Sequence, residues 1–581
     1  MSSSIHERLR NYITEPMFVV IFLGSVLWLS LIDLHFYSHD IGFYLYDARL
    51  ATDGLIPYVD YPTRSPLFHY FLSIIFLLNL DPLLSAMVLN VMLVIIGGIL
   101  IYFVAKEIHT RNAGIAAASF WMFTPFTFST SFKDQHLAIP IILFALYLFM
   151  KEIDQPQFKP KTYSLIGVLL GLAFLSRQIA GAYAVSFVAF AFYYRQLQFG
   201  DSPSTPLKIT VAMAIPALAT TVLCYAIITG GELGSIAVFV REHLLYNLFS
   251  DSMSGGSLLA PPDYLATPRK GILLLGRTIP VMIVPLLFLP AYLRFSSRQL
   301  LSRGLIFVTL GGMGVWTVVI YLMSVRGFWH LEPWFGIVFG GVSIVAVFGI
   351  LRMAPSDIYT ATLGKGMVLV FLIILPILAH VLLNVNFPLN RDILPWIIIL
   401  ASISAAEIYS NSGKVSIQIT TTILLVAFLG SLLVFSPVLT PAFVGTTTED
   451  GHTLRVSTTN AVADDLQQRT DADQTVFSAQ PIYALQADRR NTADFSRVYW
   501  HFRGSMESDF RIEMETELLS SIGTEDVPYV IVDHRTERLF AVFPELEEQI
   551  YANYCPVDDQ SLYDSVDAVL YERSEAAPAC G

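Results

Sequence analysis

The sequence predicts a mainly α-helical, polytopic membrane bundle followed by a small exterior α/β domain. Three observations predict it. Apolar runs of about 20 residues, enough to span the hydrocarbon core as helices, recur up to residue 440 or so. Only 14% of the 581 residues are charged, and the mean hydropathy is +0.59, values foreign to a soluble chain of this size. Beyond residue 446 the composition changes sharply, with 26 Asp and Glu against 10 Arg and no Lys.

The apolar segments fall near 17–36, 83–104, 113–131, 137–150, 163–176, 178–194, 209–229, 271–292, 304–325, 333–351, 366–385, 393–409 and 415–437. A shorter apolar stretch, 67–80, suits a re-entrant or interfacial helix. Lys and Arg decide between the two topologies. With the N-terminus cytoplasmic and 67–80 not crossing, the inside loops collect Lys106, Arg111, Lys151, Lys159, Lys161, Arg195, Lys208, Arg294, Arg298, Arg303, Arg352, Lys365 and Lys414. If 67–80 crosses, the rule fails in the following loops. The expectation is therefore 13 spans over residues 1–440, in a cell membrane, with the tail 446–581 on the exterior. The first run has no cleavage site after it and reads as a retained helix.

Three outside segments follow: 37–82, polar and aromatic; 230–270, long and rich in Gly and Pro; and the tail. The tail alternates helix-like runs with short strand-like ones such as 475–477 and 529–532, the latter bounded by Pro528 and Asp533. Its acidity and lack of lysine suit the salty exterior of a halophile, or simply keep a small domain soluble. The net charge of −12 gives nucleic acid no basic surface to bind. Of the three cysteines, Cys224 lies in an apolar run, and Cys555 and Cys580 either pair in an exported tail or remain free thiols.

The chemistry-bearing residues gather in the outside segments. Asp40 lies just past the first span, before an amphipathic stretch with Tyr44, Asp47, Leu50 and Ala51 that would rest along the membrane surface. A carboxylate held at headgroup level is placed to act as general base toward an acceptor hydroxyl. Arg64 offers a planar fork of donors to a phosphate. Asp47, Asp53 and Asp60 read as solvated acids.

Asp40, Ala48, Gly54, Pro57 and the run Arg64-Ser65-Pro66-Leu67 resemble the first-loop signature of the GT-C membrane glycosyltransferases. The nearest branch is the dolichyl-phosphate-mannose protein mannosyltransferase and aminoarabinose transferase group. The resemblance puts that family's catalytic aspartate on Asp40. Two positions depart from the pattern. Ile41 replaces the second acid of the usual pair, and Arg64-Ser65-Pro66 stands for Lys-Pro-Pro, which keeps a positive charge and changes its geometry.

Further along, Phe132-Lys133-Asp134-Gln135-His136 matches a short outside turn in the family. There Asp134 would orient substrate and Lys133 would meet phosphate; the competing reading is an ordinary polar turn. The stretch from Gly167 through Gly171 to Arg177 matches a Gly-Leu-Ala run ending in a cation. Arg177 between two apolar runs is costly in hydrocarbon and is either a phosphate ligand or a snorkelling anchor. Arg326 and His330 lie in a late outside segment that resembles the family's Arg/Tyr/His-rich stretch, with phosphate contact as the implied role. Trp329 and Trp334 beside them read first as an interfacial belt, Asn390-Arg391-Asp392 as an internal ion pair, and Arg241, Glu242 and His243 receive no role.

The resemblance implies transfer of a hexose, mannose first, from a polyprenyl- or dolichyl-phosphate sugar to a hydroxyl on a protein, glycan or lipid, with inversion. Lipid phosphate is a good leaving group, so the chemistry demands no metal; no clear Asp-x-Asp site accompanies these motifs and no cofactor is expected, though a divalent metal stays open. Two alternatives stand beside it. An oligosaccharyltransferase of the same superfamily would move a whole glycan. A lipid or sugar transporter would place charge near the midplane and show repeated halves, neither of which the sequence displays.

Overall fold

Several helices begin at a proline or just after an aspartate that punctuates the apolar runs. The computed structural model describes residues 16–30, 36–38, 40–57, 59–61, 65–123, 132–229, 231, 453–492, 509–523, 527–541 and 543–574, with short pieces between 365 and 406. The membrane part runs α1 (Pro16–Ser30), β1 (Phe36–Ser38), α2 (Asp40–Thr52), α3 (Pro66–Leu77), α4 (Pro82–Ile108), α5 (Arg111–Phe123), α6 (Gln135–Glu152), α7 (Pro160–Ser176), α8 (Ala180–Phe199) and α9 (Ser204–Ile228). Pro66, Pro82 and Pro160 each occupy a first-turn position, where the missing N–H costs nothing. Asp81 caps α4 by accepting from Leu84 N at 2.6 Å.

Three described helices, α4, α6 and α9, are long and apolar enough to cross a membrane. The 27 residues of α4 extend about 40 Å, more than the hydrocarbon core. The outward face of α9 presents Ile215, Leu218 and Ile227 at 64%, 67% and 79% exposure, an apolar surface of the kind that meets lipid or neighbouring helices. The 12-residue α3 falls short of a span. The segments expected at 271–292, 304–325, 333–351 and 415–437 lie outside the described residues, as does the loop 230–270 beyond Gly231; those at 366–385 and 393–409 are described only in pieces.

Helices α7 and α9 meet along glycines. A Cβ on Gly167 would stand 2.2 Å from Met213 O, and one on Gly171 2.6 Å from Ala217 O. Four residues apart, the two glycines share one face and let the backbones touch. The Gly-Leu-Ala run is thus a packing surface, and it fixes where α7 ends and Arg177 begins.

The tail comprises β2 (Thr453–Arg455), α10 (Val456–Arg469), β3 (Thr475–Ser478), α11 (Ile482–Gln486), β4 (Arg490–Asn491), α12 (Asp509–Gly523), β5 (Tyr529–Asp533), α13 (His534–Phe540), α14 (Pro544–Asn553), β6 (Tyr554–Pro556), α15 (Ser561–Asp564) and β7 (Ala568–Arg573). Its five-stranded sheet has the order β4-β3-β5-β7-β6, with β3 parallel to both neighbours and β7 antiparallel to β5 and β6. All five residues of β5 are buried. Cys555 is disulfide-bonded and Cys224 is a free thiol; the partner of Cys555 lies outside the described residues.

Two apolar cores result. One joins the bundle helices through residues such as Leu143, Phe187 and Trp396. The other joins α2, α3 and the start of α4 to the tail, with Ile41, Leu45 and Leu72 packed in the same cluster as Phe477, Ile482 and Val530. The amphipathic stretch expected to lie along the membrane surface is indeed a helix, α2. Its burial differs from that expectation, because the tail covers the face that would have met solvent.

Candidate functional site

Antiparallel connection of the helices brings the start of α3, the start of α6 and the end of α7 to one end of the bundle. Three side chains meet there. Arg177 Nη1 donates to Asp134 Oδ1 at 2.6 Å, and Ser65 Oγ donates to Asp134 Oδ2 at 2.8 Å. Gln135 N donates to Asp134 Oδ1 at 2.9 Å. Asp134 is both the cap of α6 and the hub of the cluster. The ion pair is sequestered, with side-chain exposures of 5% for Arg177 and 10% for Asp134. A carboxylate so supplied with donors fixes the plane of the guanidinium.

Lys133 is half-buried beside this cluster, and its backbone N–H donates to His136 Nδ1 at 3.1 Å. Aromatic edges tie the turn to the first loop. Phe132 and Phe68 meet at 5.2 Å, and Phe68 and Tyr44 at 5.1 Å, both edge to face. Through Phe68, helix α2 is joined to the Asp134 turn. Asp40 is the first residue of α2; its side chain, together with Arg64, Arg326 and His330, lies outside the described residues.

Two features escaped the sequence reading. His69 Nε2 stands 3.2 Å from Asp47 Oδ2 with both side chains fully buried. Tyr61 donates its hydroxyl to Asp47 O at 3.1 Å, and Ser73 its hydroxyl to Ala48 O at 3.2 Å. Asp47 had read as one more solvated acid of the loop; only the four-residue helical offset of His69 and Ser73 on the next helix hinted that α3 turns a polar stripe toward α2. The second feature is the face of α2 toward the tail, where Tyr46 bonds Asn491 and Arg49 pairs with Asp488 at 3.0 Å.

The opposite end of the bundle carries a different set of charges. Lys365 pairs with Asp154 at 2.5 Å, Arg195 with Asp201 at 2.5 Å and Lys159 with Glu152 at 2.9 Å. Three of the cations expected in inside loops therefore share one end, away from Ser65, Asp134 and Arg177. Among the described residues, no three His, Cys, Asp or Glu stand close enough to hold a metal ion.

Comparison with known proteins adds a family. Residues 62–229 match the model described as dolichyl-phosphate-mannose-protein mannosyltransferase. No curated protein matches the chain. Among solved structures, similarity extends to the Archaeoglobus fulgidus oligosaccharyltransferase AglB in complex with an inhibitory peptide and a dolichol-phosphate, at 10% identity and TM-score 0.47, covering 96% of this chain and 74% of that one. It extends also to ArnT from Cupriavidus metallidurans bound to undecaprenyl phosphate, at 13% identity and TM-score 0.45, covering 96% and 98%. A third is the arabinofuranosyltransferase AftD from Mycobacteria, at 12% identity and TM-score 0.42, covering 88% and 36%. The functional reading rests on the family match and on the residues themselves. The matched residues 62–229 span the Ser65 start of α3, the Asp134 turn and the Arg177 end of α7, so this part of the chain resembles the dolichyl-phosphate-mannose-protein mannosyltransferases.

Proposed function

We infer that the chain transfers a hexose, mannose the first candidate, from a polyprenyl- or dolichyl-phosphate sugar to a hydroxyl on a protein, glycan or lipid at the outer membrane face. The observation that carries this reading is the buried Ser65–Asp134–Arg177 cluster, which unites three separated motifs at one end of the bundle. The disulfide of Cys555 favours an oxidising, exterior compartment for the tail, and the cations at the far end favour the cytoplasm there.

In this reading the reaction is one displacement. The acceptor oxygen attacks the anomeric carbon from the face opposite the phosphate, the carbon–oxygen bond to phosphate breaks, and the lipid phosphate leaves with the electron pair. Asp40 takes the hydroxyl proton. Charge grows on the departing phosphate, and fixed cations stabilise it best because they need no reorganisation. Asp134 orients Arg177 for that purpose. The Arg177–Asp134 pair is close to neutral as a unit, so Arg64, Lys133 and Arg326, with His330, supply the remaining positive field. The apolar faces between spans hold the polyprenyl chain.

The test is sugar transfer in membranes from a radiolabelled polyprenyl-phosphate hexose, with the anomeric configuration of the product determined. Label appearing in an acceptor with inverted configuration supports the reading. Retention of configuration contradicts it, and transfer only from a lipid-linked oligosaccharide moves the chain to the oligosaccharyltransferase alternative.

A further inference from the structure

The helix that starts at Asp40 is clamped between two partners. Toward the membrane part, Tyr44, Asp47 and Ala48 face α3 through Phe68, His69 and Ser73. Toward the tail, Gly42, Phe43, Tyr46 and Arg49 recur at spacings of three and four and so form the other face. Each of these four meets the tail. A Cβ on Gly42 would stand 2.8 Å from Ile482 Cβ, so at this place only glycine lets α2 and α11 touch. Arg535 stacks its guanidinium over the Phe43 ring at 5.2 Å. Asn491 N donates to Tyr46 Oη at 2.9 Å, and Tyr46 Oη donates to Asn491 O at 3.2 Å, a reciprocal pair inside the protein. Arg49 pairs with Asp488 at 3.0 Å.

The backbone repeats the connection. Strand β1, two residues before Asp40, pairs antiparallel with β2 at the entry to the tail, in the register Phe36↔Arg455, Tyr37↔Leu454 and Ser38↔Thr453. Asp40 is therefore bracketed by a strand ladder on its N-terminal side and by the Gly42, Phe43 and Tyr46 contacts on its C-terminal side. Both brackets come from the tail.

We propose that the tail domain is a working part of the catalytic apparatus that sets the position of Asp40, with Tyr46, Asn491 and Gly42 as its positioning residues. The proposal rests on the glycosyltransferase reading above. General-base catalysis needs the carboxylate within hydrogen-bond reach of the acceptor hydroxyl, and a displacement of about 1 Å costs up to roughly a hundred-fold in rate.

The experiment uses the full chain in membranes, in a Cys224→Ser background. Tyr37→Cys and Leu454→Cys together place thiols on directly opposed residues, whose Cα separation of about 4.5–5.5 Å suits a disulfide. Oxidation is expected to close that bond, and a folded protein that fails to close it overturns the docking. Tyr46→Phe is then expected to lower kcat for sugar transfer on the order of ten-fold or more with KM for the lipid donor unchanged. Closing the 37–454 bond in the Tyr46→Phe chain restores the rate, and reducing it lowers the rate again. A Tyr46→Phe enzyme with the wild-type kcat, or one whose rate ignores the cross-link, overturns the positioning role. A wild-type chain that cross-links and transfers no sugar sinks the glycosyltransferase reading and removes Asp40 as the object of the clamp, while the docking stands.

Discussion

Replacing Asp134 with Leu tests the buried cluster most sharply. The change removes the acceptor of Arg177 Nη1, of Ser65 Oγ and of Gln135 N. Arg177, 4% exposed, is left charged beside an apolar side chain. Removing one partner of a buried ion pair costs about 3–5 kcal/mol, and each orphaned neutral donor about 1 kcal/mol more. The single change is thus worth about 5–7 kcal/mol. Replacing Arg177 with Met as well removes the stranded charge and leaves only the two neutral donors, so the double variant recovers about 3–5 kcal/mol. Thermal inactivation half-lives of the detergent-purified proteins measure this, since unfolding of such a chain is governed by rate rather than equilibrium. The expected order is wild type, then the double variant, then Asp134→Leu, with sugar transfer absent from the double variant despite its recovered stability. A single variant as long-lived as wild type, or a double variant no better than the single, refutes the claim that the pair is buried and mutually dependent.

Other consequences are open to the same proteins. Gly167→Leu drives a side chain into Met213 O, where even a Cβ would stand at 2.2 Å, and is expected to separate α7 from α9 and reduce folded protein in membranes several-fold; normal yield would contradict the close packing. His69→Ala removes the imidazole that stands 3.2 Å from Asp47 in a fully buried pair and is expected to cost about 1–3 kcal/mol, read as a shortened inactivation half-life; a half-life equal to the wild type's would contradict the buried contact. In the tail, burial pushes the Asp533 carboxyl up, while donors from Thr536 and Arg535 pull the other way. With the folded value above the unfolded one, the folded tail holds the proton more tightly, so the stability this proton provides is full below the unfolded value and is lost as pH rises through the folded one. Asp533→Asn is expected to flatten the decline of tail stability from acid toward neutral pH, followed by hydrogen exchange of β5, and an unchanged slope would contradict the assignment.

What the sequence disclosed and what it hid divide along one physical line. Features fixed by local chemistry were legible. Pro66, Pro82 and Pro160 mark helix starts, the apolar 529–532 run became β5, and the Asp134 and Arg177 motifs named two residues that the fold joins in one ion pair, to which Ser65 is added. Features fixed by contacts between remote segments were not. Residues 41–50 mix apolar, aromatic and charged types, which reads as an amphipathic helix lying on a membrane, because the tail partners Ile482, Asn491 and Arg535 lie more than 400 positions away. Asp47 looked like a solvated acid for the same reason, since burial is decided by which helix packs over it. Arg177 reads from sequence as a phosphate ligand or a snorkelling anchor, and the fold adds the carboxylate that orients it.

The central claim is that Asp40 is the general base of a lipid-phosphate-sugar glycosyltransferase, and Asp40→Asn tests it most directly. Transfer from a radiolabelled polyprenyl-phosphate hexose is measured in membranes holding equal amounts of the wild-type and variant chains. The account predicts transfer by the wild type and a fall of at least about a hundred-fold in the variant, the scale of a lost acid–base group. Transfer that survives Asp40→Asn within a few-fold would contradict it and turn attention to Asp134.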